Sequence, residues 1–256
     1  MNNNNEEKKD LIYAYKEIGE SPLDVIKRIK EDFPELRNEK IAYAGRLDPL
    51  AEGVLLLVKG KELKNFDNYL SLDKEYEAEI VIGFSSDTYD ILGLAREEER
   101  KDIRNREIED IVKKMKGGFV FKLPPFSSYK IRGKPLFWWA LNNRINEVEI
   151  PKKRVEIYKI DITDFYKIRG EELESIICNK VLKIKGEFRQ KEILRRWEKL
   201  FLSNKKKNYK VIKINVSCSS GCYIRSIAKR VGEDLSTGSI VLSLKRDKIG
   251  KKSVLE

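Results

Sequence analysis

The chain has 256 residues, 53 Lys plus Arg against 42 Asp plus Glu, and a formal net charge of +11 at pH 7. With 41% hydrophobic residues it has the apolar material for a buried core, which excludes wholesale disorder, and its length allows one large domain or two small ones. It contains no histidine and three cysteines, so a Ser-His-Asp triad, a Cys-His pair, a histidine general base and a histidine-ligated zinc are all excluded within the chain. Chemistry must rest on carboxylates, Tyr, Lys, Arg, Ser, Thr or Cys.

The first residues, Met1 to Asp10, are Asn-rich and then mixed in charge. They lack the apolar segment of a secretory signal and read as a disordered tail. Leu11 to Tyr15 reads as a short strand. Ser21 and Asp24 then have the spacing of a capping box, with Pro22 at the first helical position and Leu23, Ile26 and Ile29 as an apolar stripe that Pro34 ends. Residues Ile41 to Leu50 read as a loop punctuated by Gly and Pro. Val54 to Val58 is an uninterrupted apolar run, far below the roughly 18 to 20 residues of a membrane span, and reads as a buried strand.

From Tyr76 to Phe84 the apolar residues alternate with Glu77, Glu79 and Val81, the period-two pattern of a strand with one wet face. Ile108, Ile111, Val112 and Met115 predict a helix that stops at Gly117 and Gly118, followed by a long loop around Pro124 and Pro125. Strands are expected at Val155 to Ile162 and Tyr209 to Cys218. Between them the charged stretch Arg169 to Lys207 holds a helix from Lys191 to Phe201 and looks inserted. Tyr223 to Asp234 reads as an amphipathic helix and Ser239 to Leu244 as a last strand. This order predicts an α+β fold with a mixed or antiparallel central sheet and flanking helices.

The cysteines, Cys178, Cys218 and Cys222, are too few for disulfide stapling and fit a reduced, cytoplasmic setting. Cys218 and Cys222 lack third and fourth soft ligands, so they read as ordinary thiols and no metal site is expected. The positive balance suits a polyanionic partner, although 36 of the 53 cations are Lys and general Lys enrichment gives the same excess. No Walker-type or dinucleotide-binding glycine string is present.

The candidate acid is Asp48, in Gly45-Arg46-Leu47-Asp48-Pro49-Leu50-Ala51-Glu52-Gly53. A tight loop anchored by a strand presents a side chain rigidly at a cleft, although Asp-Pro in a Gly-flanked loop also marks a plain turn. This string and three others in the same order resemble the TruB family of tRNA pseudouridine synthases. The second comprises Asp73-Lys74-Glu75-Tyr76 with Gly83, Asp87, Thr88, Asp90 and Gly93. The third is Leu123-Pro124-Pro125-Phe126-Ser127-Ser128-Tyr129-Lys130 with Gly133-Lys134-Pro135-Leu136. The fourth is Cys218-Ser219-Ser220-Gly221-Cys222-Tyr223-Ile224-Arg225-Ser226.

The resemblance implies a pseudouridine synthase fold and conversion of uridine to pseudouridine in RNA, without cofactor or metal. The implied target is uridine 55 in the T-loop of tRNA, with no membrane and no obligatory protein partner, the chain acting as a monomer. Asp48 would be the reacting carboxylate, attacking the sugar or the base or removing a ribose proton. Arg225 would keep it ionised beside the base, and Tyr76 would stack on the everted base with its hydroxyl near C5. Tyr43, Arg46, Lys130 and Lys134, with Arg132, are the candidate RNA contacts, and Leu242 or Leu244 would close the pocket from below.

Each has a plainer reading: Tyr76 as a core aromatic, Arg225 as a phosphate-binding or solvated residue, the lysines as a solvated loop, the leucines as core. Trp138 and Trp139 are expected in the core. The sequence departs from the family where Tyr43 and Ala44 replace a His and a Thr or Ser, where Lys16-Glu17 replaces Lys-Pro and where Phe137 replaces Tyr. The Arg169 to Lys207 stretch is extra, and only a dozen residues follow Leu244, too few for a complete PUA domain. The main competing account is a non-catalytic tRNA-binding chaperone with a degenerate site.

Overall fold

A computed structural model of the chain describes residues 10–98 and 102–253. The expected tail thus lies outside the described residues except for Asp10. That residue accepts from the Lys61 amide at 3.0 Å and pairs with Lys59 at 3.4 Å.

Thirteen strands and seven α-helices follow one another in the described residues. The first part comprises β1 (Leu11–Lys16), α1 (Pro22–Asp32), β2 (Ile41–Ala44), β3 (Ala51–Lys59) and α2 (Phe66–Leu70). Then come β4 (Lys74–Ile82), β5 (Phe84–Ser85), β6 (Arg96–Glu97), α3 (Asn105–Lys114), β7 (Gly117–Lys122), β8 (Lys130–Ile131), β9 (Lys134–Pro135) and α4 (Leu136–Leu141). The last part is β10 (Lys152–Arg169), α5 (Gly170–Leu182), α6 (Gln190–Phe201), β11 (Asn208–Cys218), α7 (Ile224–Asp234), β12 (Ser239–Ile249) and β13 (Lys252–Ser253).

One nine-stranded sheet carries the fold, in the order β1-β3-β12-β4-β11-β10-β7, with β2 on β3 and β13 on β12. All its pairs are antiparallel except β3 with β12. The expected α+β class with a mixed sheet is therefore what is observed. The α1 capping box is formed: the Ser21 hydroxyl accepts from the Asp24 amide at 3.2 Å and the Asp24 carboxylate accepts from the Ser21 amide at 2.7 Å.

Layers on both sides bury the sheet. On one face α3, α4 and α7 cover Ala78, Ile80, Ile212, Ile214 and Leu244. On the other, α5 and α6 bring Leu173, Ile177, Trp197 and Phe201 against Val81, Val211 and Ile240. This second layer corrects the expected wet face of β4: Val81 is fully buried, and Glu79 accepts hydrogen bonds from Tyr166 and Ser243.

Other expectations also shift. Residues 41–44 pair with β3 as a strand, so the loop is confined to 45–50. Gly117 and Gly118 open β7 after α3 ends at Lys114. The strand expected at Val155 to Ile162 runs for 18 residues as β10 and carries bulges that absorb register shifts against β11. The chain leaves that ladder after Arg169 and re-enters it at Asn208, the excursion being the hairpin of α5 and α6, of which only α6 was expected. Among the described residues no helix is long and apolar enough to cross a membrane.

Candidate active site

The loop between β2 and β3 presents Asp48 because its carbonyls are held from beneath. Buried Lys16 donates to Ala51 O at 2.5 Å and Pro49 O at 3.5 Å. Buried Arg246, on β12, donates to Gly45 O at 3.0 Å, Arg46 O at 3.5 Å and Val54 O at 2.8 Å. The Gly19 amide donates to Pro49 O at 3.0 Å, and the Ala51 amide closes a turn onto Asp48 O at 3.0 Å. With the backbone acceptors turned inward and Leu47 and Leu50 buried, the half-buried Asp48 carboxylate is left facing the groove.

Arg225 meets it there. The residue lies in the first turn of α7, whose apolar positions Ile224, Ile227, Ala228 and Val231 are buried against the sheet as their spacing predicted. Its Nε donates to Asp48 Oδ2 at 2.8 Å, Nη1 donates to Thr88 O at 2.8 Å, and Nη2 to Phe126 O at 3.3 Å. Asp90 Oδ2 stands 3.7 Å from Nε. Burial alone would weaken the guanidinium's hold on its proton, but Asp48 and Asp90 outweigh it and raise its pKa. Arg225 is thus a fixed cation, 4% exposed, opposite a carboxylate that is 29% exposed.

Asp90 shares that cation from a drier position. Burial pushes its carboxyl up to about 6, against the pull of Arg225 and of the Thr88 hydroxyl, which donates to Oδ1 at 2.6 Å.

Asp48, Tyr76 and Arg225 line a single groove of about 710 Å³, with Tyr43, Arg46 and Leu244. Tyr76 lies on β4 directly across from Arg246. Burial pushes its phenol up to about 12, with the Arg246 guanidinium pulling the other way, so it is a neutral hydroxyl at pH 7. Tyr43 is half-buried and its hydroxyl accepts from Arg46 Nη2 at 3.1 Å. Ala44, the next residue of β2, is fully buried on the other face with Val54, Leu56 and Val58.

Four candidates stand elsewhere. Lys130 and Lys134 project from the small β8–β9 hairpin, exposed and outside the groove lining, with Lys134 Nζ 5.4 Å from the Trp138 ring centroid. Arg132 and Gly133 are the positive-φ turn residues of that hairpin. Leu242 does not reach the groove either: a bulge between Val241 and Ser243 turns it to the opposite face, where it packs with Val81 and Ile240. Leu244 returns to the groove side, opposite Ala78. Trp139 is buried and Trp138 half-buried, both against the core.

Sequence reasoning missed the roles of Arg246, Lys74 and Tyr223 in the groove. Lys74 is buried and donates to Leu70 O at 2.9 Å and also to Leu72 O, and burial pushes its amine down to about 8. The Tyr223 phenol is raised by burial and by Asp48. Lys74 and Tyr223 lie inside strings singled out above. For Arg246 the only signal was its place two residues past Leu244, on the groove face of the last strand.

Comparison with known proteins places the chain in a family. The family model described as TruB family pseudouridylate synthase (N terminal domain) matches residues 34–184. A tRNA pseudouridine synthase B from Fusobacterium nucleatum is 30% identical over 244 residues, covering 95% of this chain and 69% of the relative. One from Borreliella afzelii is 32% identical over 239 residues, covering 92% and 67%. Among solved structures, a chain of a Cbf5-Nop10-Gar1 complex superposes with a TM-score of 0.58 at 18% identity. That match covers 96% of this chain and 50% of the other, so this chain spans half the length of that solved protein and shares its fold. On the matching model and these relatives, the chain belongs to the TruB family of pseudouridylate synthases.

Proposed function

We propose that the protein isomerises uridine to pseudouridine in tRNA, its target the T-loop uridine at position 55, with Asp48 as the reacting carboxylate. The observation that carries this reading is the 2.8 Å ion pair between Asp48 and buried Arg225 at the floor of a groove also lined by Tyr76. Isomerisation breaks the bond from ribose C1′ to uracil N1, turns the base, joins C5 to C1′, removes the C5 proton and leaves a proton on N1, so the atom count is unchanged. A carboxylate enclosed with a nucleobase tends to take up a proton, and Arg225 opposes that. Asp48, paired with that guanidinium, attacks the sugar or the base, or removes a ribose proton.

The uridine must leave its stack to reach Asp48, as bases do for enzymes that act on them. Tyr76 offers the everted base an aromatic face. Its phenol, protonated at pH 7, acts near C5 as a relay that takes the C5 proton on its oxygen while giving its own to solvent in the groove, since its raised pKa leaves little phenolate to abstract one. Arg46 and Lys153 on the rim meet phosphates.

The test uses unmodified tRNA labelled with tritium at uracil C5. The wild-type protein should release label from one position of the T-loop. Asp48→Asn should release none while binding the same transcript within a few-fold of wild type. A wild type that binds tRNA but frees no tritium would instead fit a chaperone role.

A further inference from the structure

The hairpin of α5 and α6 reaches the groove with its connecting loop. Lys185, Glu187, Phe188 and Arg189 line the same cavity as Asp48 and Tyr76. The hairpin's other large aromatics, Trp197 and Phe201, are fully buried against the sheet, whereas Phe188 is 39% exposed. A lone exposed apolar ring needs no explanation on an ordinary surface. This ring stands on a polar loop, at the rim of a groove that accepts a polyanion under the function proposed above.

The loop is fixed in place. Gly19 approaches it so closely that a β-carbon there would lie 2.0 Å from Lys183 O. The same glycine accepts from the Lys185 amide at 3.5 Å and donates to Pro49 O at 3.0 Å, so one residue links the loop to the backbone beside Asp48. Arg189, held at positive φ, pairs with Asp87 at 2.8 Å, and its guanidinium lies 4.6 Å from the Phe126 ring centroid. Gln190 donates to Ile184 O and Gly186 O and accepts from the Phe188 amide. A preorganised aromatic face loses little entropy when a base settles on it.

We infer that this loop is a nucleotide-binding wall of the groove, where Phe188 stacks on an unpaired RNA base next to the isomerised uridine and Lys185 meets the adjoining phosphate. The inference rests on the proposed tRNA substrate. Single-stranded loops are recognised by stacking of splayed bases on aromatic side chains, and a ring of this kind tolerates any base. Exposed Glu187 offsets one cation of the loop, so the ring supplies the larger share of the contact and Lys185 a modest electrostatic one.

The experiment measures equilibrium binding and steady-state tritium release on one unmodified tRNA transcript for wild type, Phe188→Ala, Phe188→Trp and Lys185→Ala, each checked by thermal melting. Phe188→Ala should weaken binding about five- to tenfold and raise KM with kcat unchanged, and Phe188→Trp should restore both. Lys185→Ala should make the salt dependence of binding shallower by a slope of about 0.7 to 0.9. Phe188→Ala binding within about twofold of wild type, with an unaltered melting midpoint, would overturn the wall. Because the binding measurement needs no turnover, a wild type that binds but releases no tritium counts against the catalytic reading alone.

Discussion

At Arg225 one guanidinium serves two carboxylates and two carbonyls, and the two acids it faces are not equivalent. Asp48 is open to the groove, whereas Asp90 is 8% exposed and its carboxyl is pushed up to about 6 by burial. A free aspartate titrates near 3.9, so between about pH 4 and 6 the folded chain binds a proton at Asp90 that the unfolded chain has released. Stability linked to Asp90 is therefore greatest below about pH 4, falls as pH rises through 6 and stays low above it. Asp90→Asn, which keeps an acceptor for Thr88 and the Leu92 amide, removes that penalty. It should stabilise the protein by up to roughly 3 kcal/mol at pH 7.5 and by almost nothing at pH 4. Urea titrations at the two pH values check this, and an equal effect at both would mean that burial does not set the Asp90 charge state.

Among the elements, the parallel pairing of β3 and β12 tolerates little change. Gly53 sits at φ +111° against Arg246, and a β-carbon there would lie 2.2 Å from the Arg246 carbonyl oxygen. That contact sets Arg246 beneath the Asp48 loop. Gly53→Ala should cost at least about 2 kcal/mol, combining dihedral strain with forced separation of the strands, and should lower turnover by loosening the loop. Gly133→Ala is the control: φ there is +76° and nothing lies within 4 Å, so only the strain of about 1 kcal/mol applies. Chemical denaturation of both variants separates the two contributions, and equal losses would refute the packing argument.

Much of the fold was legible wherever a local rule decided the outcome. The Ser21 cap and the α7 stripe from Ile224 to Val231 carry their own signals. The motif strings brought Asp48, Tyr76 and Arg225 together although Asp48 and Arg225 lie 177 residues apart. What was missed depends on tertiary partners. Strand β2 is four residues long and exists through its ladder to β3. Helix α5 was hidden by its charge, although Leu173, Ile177 and Val181 recur at helical spacing and are fully buried. Leu242 was misplaced because a single bulged residue reverses the alternation that a regular strand obeys.

For the molecule as a whole, the net charge of +11 matters by where it is concentrated. Arg46, Lys153, Lys185 and Arg189 line the groove along with the buried cations Lys74, Arg225 and Arg246. The buried three are occupied with protein acceptors: Lys74 and Arg246 with carbonyls, Arg225 with carbonyls and Asp48. They hold the site in shape and leave phosphate contact to the rim. Each phosphate neutralised by a rim cation releases condensed counterions, so affinity for tRNA should fall linearly in a plot of log K against log salt, with a slope of about −0.7 to −0.9 per contact. Arg189 is already paired with Asp87, so the other three rim cations, Arg46, Lys153 and Lys185, give a slope near −2.4, or roughly a 30-fold loss between 50 and 200 mM salt. Lys153→Ala should flatten the slope by one contact, whereas replacing Lys248, which is paired with Glu75 and does not line the groove, should leave it unchanged. Filter binding across a salt series measures both, and a slope insensitive to Lys153 would mean that RNA does not enter along this rim.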